Sequence, residues 1–193
     1  MREYLERELK LHPRAGFVLP ELGGEHLPTR IFVSTYHDTA DLALARHGVT
    51  FRHRVEDGTG LWQLKLPKGV ARIELEAAGP PARPPAEMTA LLIAYLRDRP
   101  LVPVARLRTR RAGVRAHGAE IVEDSIAVMD GPRVTRRFRE VEIELLEGDE
   151  RTLRRLEKEI RRAGADAGES RPKLYRALDL TLPTGPVEIT PIP

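Results

Sequence analysis

Hydrophobic and charged positions alternate along much of this chain, with the period of a β-strand. In a strand, side chains at i, i+2 and i+4 share one face. The first ten residues set the pattern: Glu6, Glu8 and Lys10 fall together, with Leu5, Leu9 and Leu11 nearby for packing. The alternation returns in Phe51-Arg52-His53-Arg54-Val55 and Arg72-Ile73-Glu74-Leu75-Glu76. It appears again in Arg106-Leu107-Arg108-Thr109-Arg110 and Glu140-Val141-Glu142-Ile143-Glu144. A single such segment reads as an ordinary solvated face. Several of them need a common place for their charged sides, because unpaired charge is costly against a dry core. A closed barrel with a polar interior and an outer layer of helices supplies one.

Turn and cap signals divide the rest of the chain. Pro13 to Pro28, with Gly23-Gly24, reads as loop, and Arg30 to His37 as a second strand. Asp38 or Thr39 caps a short helix that Gly48 ends. Val49–Val55, Leu61–Leu66 and Ala71–Ala77 form an antiparallel meander around an Asp-Gly turn and a Pro67-Lys68-Gly69 turn. Met88, Leu91, Leu92, Tyr95 and Leu96 lie at helical spacing within Glu87 to Asp98. Val102–Arg111 begins a second strand series, which Val114–Ala116, Ala119–Asp130 and Thr135–Leu146 complete. Asp149 caps a helix striped by Leu153, Leu156, Ile160 and Ala163 and stopped by Gly164. A last short helix spans Lys173 to Asp179. The expected fold class is α+β, a closed antiparallel β-barrel of about eight strands with flanking helices.

Composition narrows the chemistry. The chain has 193 residues, 41% hydrophobic and 32% charged, which fits one globular domain. Its 32 basic and 29 acidic residues are interleaved, for a net charge of +3, so no nucleic-acid partner is expected. Without cysteine there is neither a disulfide framework nor a thiolate metal site. A metal would need oxygen ligands, which suits Mg²⁺, Mn²⁺ or Ca²⁺. The six histidines lack metal-ligand spacing, and His53 should point away from Arg52 and Arg54. Gly23-Gly24 lacks the Lys-Ser/Thr of a phosphate-cradling loop. No apolar run approaches the roughly 18 residues of a membrane span, and the N-terminus is charged, so a cytoplasmic protein with no membrane partner is expected.

Two acidic strands beside three basic ones suit a highly charged anion held with metal ions. Arginine grips phosphate through a planar fork and lysine as a point charge. Carboxylates repel phosphates unless divalent cations bridge the two. Hydrolysis also needs a water in line with the terminal phosphorus and a group to take its proton. A pure anion binder has no use for the carboxylates.

Several segments together resemble the CYTH family, also called triphosphate tunnel metalloenzymes. They are Glu6-x-Glu8-x-Lys10, Tyr36-x-Asp38-Thr39, Gly48-x-x-x-Arg52-x-Arg54, Trp62-x-Leu64-Lys65, the Pro103 to Arg110 run and Glu140-x-Glu142-x-Glu144. The match runs in order from about residue 3 to 178 and looks most like the CYTH half of bacterial CYTH–CHAD proteins. It implies a tunnel domain over residues 1–180 and an extended Pro-rich tail over 181–193. It also implies hydrolysis of a triphosphate with Mg²⁺ or Mn²⁺. Inorganic triphosphate is favoured, because no aromatic pocket for a base is apparent on the lumen strands.

The resemblance assigns metal binding to Glu6, Glu8, Asp124, Glu140, Glu142 and Glu144. It assigns phosphate binding to Lys10, Arg52, Arg54, Lys65, Arg106, Arg108 and Lys173, and catalysis to Glu6, Glu8 and Lys10. The family usually has Ser directly before the late lysine. Here Pro172 stands there, with Ser170 two residues earlier, which bears on the shape of the tunnel mouth. A class IV type adenylyl cyclase, a thiamine triphosphatase or a non-catalytic polyphosphate-binding module of the same fold are the alternatives. The expected partner is a small-molecule triphosphate or polyphosphate, and a homodimer is compatible with the sequence.

Overall fold

The computed structural model describes residues 1–69, 71–168 and 171–181. Ser170 and the tail from 182 onward lie outside the described residues. The strands are β1 (Arg2–Glu6), β2 (Glu8–Pro13), β3 (Glu25–Asp38), β4 (Thr50–Glu56), β5 (Thr59–Lys68) and β6 (Ala71–Ala78). They continue with β7 (Val102–Ala116), β8 (Ala119–Asp130), β9 (Arg133–Leu145) and β10 (Ala165–Ala167). The helices are α1 (Ala43–Arg46), α2 (Ala86–Leu96), α3 (Glu150–Arg162) and α4 (Lys173–Leu178). All ten strands form one antiparallel sheet in the order β1-β6-β5-β4-β3-β7-β8-β9-β2-β10.

The expected closed barrel of about eight strands is corrected by this ladder, which is open. The first strand breaks at Arg7. Glu6 lies opposite Arg72 of β6, whereas Glu8 lies opposite Glu144 of β9, so the two halves belong to opposite sides of the sheet. The sides meet through the covalent chain at Arg7, whose carbonyl accepts a hydrogen bond from the Leu145 amide at 3.0 Å. No ladder joins β1 to β2. The strand count rises because the first strand is split and β10 adds a short edge beyond β2.

Period-two alternation decides which residues meet, since residues opposed across a ladder share a face. The inner face collects charge around a cavity lined from β1 through β9 and from α4. The outer face is apolar where a helix covers it. Leu153, Leu156 and Ile160 of α3 pack on Leu11, Ile121, Val141 and Ile143. Met88 and Leu92 of α2 cover Phe51, Trp62, Leu64 and Leu75. His53 points away from Arg52 and Arg54 as expected, yet it is buried, its ring 4.9 Å from that of Trp62. At one end the inner face turns apolar too, where Leu174 and Tyr175 of α4 meet Tyr36, Leu107 and Ile126. Each large side chain so buried contributes about 1.5–3 kcal/mol.

The β3–α1 junction fixes one end of the cavity. The fully buried Asp38 carboxylate accepts hydrogen bonds from the backbone amides of Thr39 (2.7 Å), Leu44 (2.8 Å) and Ala45 (2.9 Å). The Thr39 hydroxyl accepts one from Ala43 at 2.9 Å. Both candidate caps are therefore used. The Tyr175 hydroxyl donates to the Ala45 carbonyl, tying α4 to this corner. Asp38→Ala leaves three amides without their acceptor and should lower unfolding free energy by about 2 kcal/mol or more. Urea denaturation checks this; a loss below about 0.5 kcal/mol would show that water replaces the carboxylate.

Candidate active site

The inner face encloses a cavity of about 650 Å³. At its α4 end three strand carboxylates converge. Oxygens of Asp124, Glu140 and Glu142 lie within 4.8 Å of one another, a spacing that can hold a metal ion. Their charge is already met by protein cations. The Lys173 ammonium lies 3.0 Å from Asp124, 2.6 Å from Glu140 and 2.7 Å from Glu142. Arg111 forks onto Asp124 through Nε (2.8 Å) and Nη2 (2.7 Å), and Nη2 also reaches Glu142 at 2.6 Å. Lys10 donates to Glu142, and Arg176 to Glu140 at 2.9 Å. Burial disfavours the charged Glu142, but Lys10, Lys173 and Arg111 overcome this and hold it well below its ordinary value. Burial likewise opposes the Lys173 ammonium, and Glu140, Glu142 and Asp124 hold it well above the usual lysine range. A metal ion here would have to displace Lys173.

Near the break at Arg7 the balance reverses. Glu8 and Glu144 are cross-strand neighbours, and β8 adds Glu120 opposite Glu144. Glu6 comes in from β1, where Lys65 donates to it and also lies 3.2 Å from Glu74. The cations do not suffice. Burial, followed by repulsion from Glu8 and Glu74, raises Glu6 despite Lys65. Burial and the nearby Glu6 push Glu144 up to about 7. One Glu6 oxygen, Oε2, is buried with no hydrogen-bond partner. Glu8 is the exception: it lies 2.9 Å from the Lys10 ammonium, and against burial Lys10, Lys65 and Lys173 hold it below its ordinary value. Glu6 and Glu144, raised and with fewer cations around them than the cluster at α4, fit a hard divalent ion better than that cluster does.

On the opposite wall no carboxylate among the described residues lies within ion-pair distance of Arg52. Arg52 donates from Nε to Gln63 at 2.8 Å and from Nη1 to the Tyr36 hydroxyl at 3.1 Å. Gln63 in turn donates to Glu74 (2.8 Å) and Glu76 (2.6 Å). Arg54 lies over the Phe32 ring, 3.8 Å from its centroid, and pairs with Glu56. Burial, then the neighbouring Arg52, lowers the Arg54 pKa, so this guanidinium is under-compensated.

The structure brings Glu6, Glu8, Lys10, Arg52, Arg54, Lys65, Glu142, Glu144 and Lys173 to one cavity, with Asp124 and Glu140 buried behind it. Arg106 and Arg108 do not join them: both are exposed on the other face. The inner phase of β7 is that of buried Leu107 and Thr109, which places Arg111 inside instead. Tyr36, Gln63, Glu120 and Arg176 are further polar residues that the sequence reading did not assign. Gln63 was legible, since it is in phase with Lys65. Aromatic and apolar side chains also occur, with Tyr4, Leu5 and Leu146 each about half exposed on the cavity lining.

The CYTH domain family model matches residues 4–176 of this chain. The chain belongs to the CYTH family. Two uncharacterized Mycobacterium tuberculosis proteins, from strains CDC 1551 / Oshkosh and ATCC 25618 / H37Rv, are each 32% identical to it over 221 residues. The alignment takes in 95% of this CYTH chain but only 42% of either relative. Among solved structures, a Bacillus halodurans protein proposed as an adenylate cyclase aligns with TM-score 0.63 at 15% identity, over 91% of this chain and 98% of its own. A Hippeastrum protein, also proposed as an adenylyl cyclase and found to have a dominant triphosphatase activity, aligns with TM-score 0.58 at 19% identity, over 92% and 98%. These similarities establish a shared CYTH fold.

Two outcomes test the electrostatics. Arg111→Ala leaves buried Asp124 and Glu142 to Lys173 and Lys10 alone and should cost about 3 kcal/mol in urea denaturation. Arg106→Ala should stay within about 0.5 kcal/mol; equal losses would mean the phase of β7 is wrong.

Glu144 supplies the second test. Its folded pKa of about 7 lies above the ordinary 4.5. A carboxyl raised in this way favours folding in acid, and that contribution is lost as pH climbs through about 7. In chelator, the melting-temperature gain of Glu144→Gln over the parent should therefore grow from pH 5 to pH 8. A gain independent of pH would refute the crowding of Glu144 by Glu6 and Glu8.

Proposed function

We propose that this CYTH protein hydrolyses a triphosphate substrate, with inorganic triphosphate favoured, in the cavity between the wall of Glu6, Glu8 and Glu144 and the wall of Arg52 and Arg54. The observation that carries this reading is the opposition of those walls. Glu6 and Glu144 are raised by burial and by their acidic neighbours at one side. At the other the Arg54 guanidinium is under-compensated, and Arg52 has no carboxylate within ion-pair distance among the described residues. Each wall is costly alone, and a polyanion bound with a cation relieves both.

Glu6, Glu8 and Glu144 would hold Mg²⁺ or Mn²⁺, to which the buried, unpartnered Glu6 Oε2 and the all-oxygen donor set are suited. Bound there, the ion neutralises phosphate charge and makes a water more acidic. The remaining steps belong to the protein's own groups. Arg52 and Arg54 take the phosphate oxygens through their guanidinium forks, and Gln63 and Tyr36 hold Arg52 at the angle that requires. Lys65 and Lys10, each already beside a carboxylate, lie between the walls and can offer ammonium protons to phosphate oxygens. A carboxylate of the acidic wall is the natural acceptor for the proton of the attacking water. Lys173, with Arg111, Lys10 and Arg176, keeps Asp124, Glu140 and Glu142 neutralised, so that they do not repel the substrate.

A second reading, an organic triphosphate such as thiamine triphosphate or a nucleotide, is favoured by Tyr4, Leu5 and Leu146. They place apolar surface on the lining, where the sequence alone suggested none. Phosphate release from inorganic triphosphate, ATP, thiamine triphosphate and pyrophosphate, with Mg²⁺ and with Mn²⁺, decides between them. Inorganic triphosphate should be cleaved fastest. Conversion of ATP to a cyclic nucleotide and pyrophosphate would make the cyclase reading correct, and no release from any substrate would leave only binding.

Glu6→Gln should abolish turnover by more than about a hundredfold while the protein melts as the parent does or higher. Arg52→Ala should raise KM more than it lowers kcat. Full activity in Glu6→Gln at saturating metal would take β1 out of the site.

A further inference from the structure

The outer face of the sheet carries a second feature that the cavity does not use. Helices cover this face over β4–β6 and over β2 with the adjoining ends of β7, β8 and β9, and the stretch of β7, β8 and β9 around Arg108, Ala127 and Arg137 lies outside both apolar layers. The cross-strand register sets arginines there in opposed pairs. Arg108 of β7 faces Ala127 of β8, which faces Arg137 of β9; Arg110 faces Ser125, which faces Arg139. The short side chains of Ser125 and Ala127 thus form the floor of a trough with arginine walls. Neighbouring strands are about 4.8 Å apart, so the wall strands are separated by about 10 Å, and successive arginines on a wall by about 7 Å.

These arginines have not been neutralised. Arg106, Arg108, Arg110 and Arg137 are exposed and have no hydrogen-bond or ion-pair partner among the described residues. Only Arg139 is engaged, to Glu123 at 2.6 Å and to the Phe17 carbonyl at 3.0 Å. The trough runs into a cleft of about 740 Å³, whose lining includes His12, Arg14, Arg137 and Arg139.

We infer that this trough binds an extended inorganic polyphosphate chain, independently of the cavity. The charge density selects that occupant. The two rows, about 7 Å apart, carry four arginines, and with Arg139 paired to Glu123 three free positive charges remain close together on the trough walls. A phosphoanhydride chain, with a charge on each phosphorus and no spacer, matches this more closely than a nucleic-acid strand, whose phosphates are separated by sugars. The cross-strand rows that form the walls and floor hold only arginine, serine and alanine, and Phe138 beside them lines the adjoining cleft, so oligothymidylate is the competitor that tests base stacking. A narrow floor of serine and alanine suits a chain without side groups, which an acidic polypeptide is not. Guanidinium forks suit its paired oxygens.

The test is binding of end-labelled long-chain polyphosphate to the full chain in chelator, followed by fluorescence anisotropy across a salt series, with oligothymidylate and polyglutamate as competitors. Arg110→Gln/Arg137→Gln should weaken polyphosphate binding at least tenfold and make the log–log salt slope shallower by roughly 1–2. Release of phosphate from inorganic triphosphate should be unchanged. Because both residues are exposed and unpartnered, the melting temperature should not move. Parent-like affinity in the double variant would place the chain in the cavity or nowhere, and would overturn the inference. So would an undetectable complex with the parent, or competition by oligothymidylate or polyglutamate as effective, charge for charge, as unlabelled polyphosphate.

Discussion

One ammonium group, that of Lys173, holds together carboxylates from two strands at the centre of this fold. Asp124 of β8 and Glu140 and Glu142 of β9 are almost wholly buried, and Lys173 lies within 3.0 Å of all three. Buried charges survive only when paired, because several kcal/mol of desolvation per ion must be offset. Arg111 from β7, Lys10 from β2 and Arg176 from α4 complete the pairing. The junction therefore fixes α4 against the inner face and sets the phase of three strands. A shift of one residue in any of them would send its charged partner to the other side.

The sequence announced this arrangement in its acidic strands and misled in one basic strand. Glu6-x-Glu8-x-Lys10 and Glu140-x-Glu142-x-Glu144 read correctly as inner faces, because Val141 and Ile143 between them must be covered, and α3 covers them from outside. In β7 the same logic fails. Arg106, Arg108 and Arg110 looked like a third charged lumen face, but Arg110 is followed by Arg111, so either phase puts an arginine inside. Leu107 decides it, and it faces inward, since at that level the covering helix is α4 on the inner side. Apolar residues follow the helix, whichever face it occupies. No periodicity in the strand itself says which face that is.

The break at Arg7 was illegible for a related reason. Residues 2 to 13 alternate without a gap, and nothing in their pattern marks the step from β6 to β9. That step depends on partners far away in sequence, Arg72 and Glu144. Tyr36 and Gln63, by contrast, were legible in phase but not in role. Their importance lies in contacts to Arg52, which only three-dimensional placement supplies.

The two faces of β7 show how solvent decides what an arginine means. Arg111, inside, takes two carboxylates, because an unpaired guanidinium in the interior would cost more than the fold can spare. Arg108 and Arg110, outside, lack partners at little cost, because water solvates them. Stability therefore explains Arg111 and is silent about Arg108 and Arg110. Their arrangement opposite Arg137 and Arg139 contributes nothing to holding the sheet together, and like charges set about 10 Å apart repel weakly even across water. On one strand, then, the inward arginine is accounted for by the carboxylates it holds, and the outward pair by nothing the fold requires.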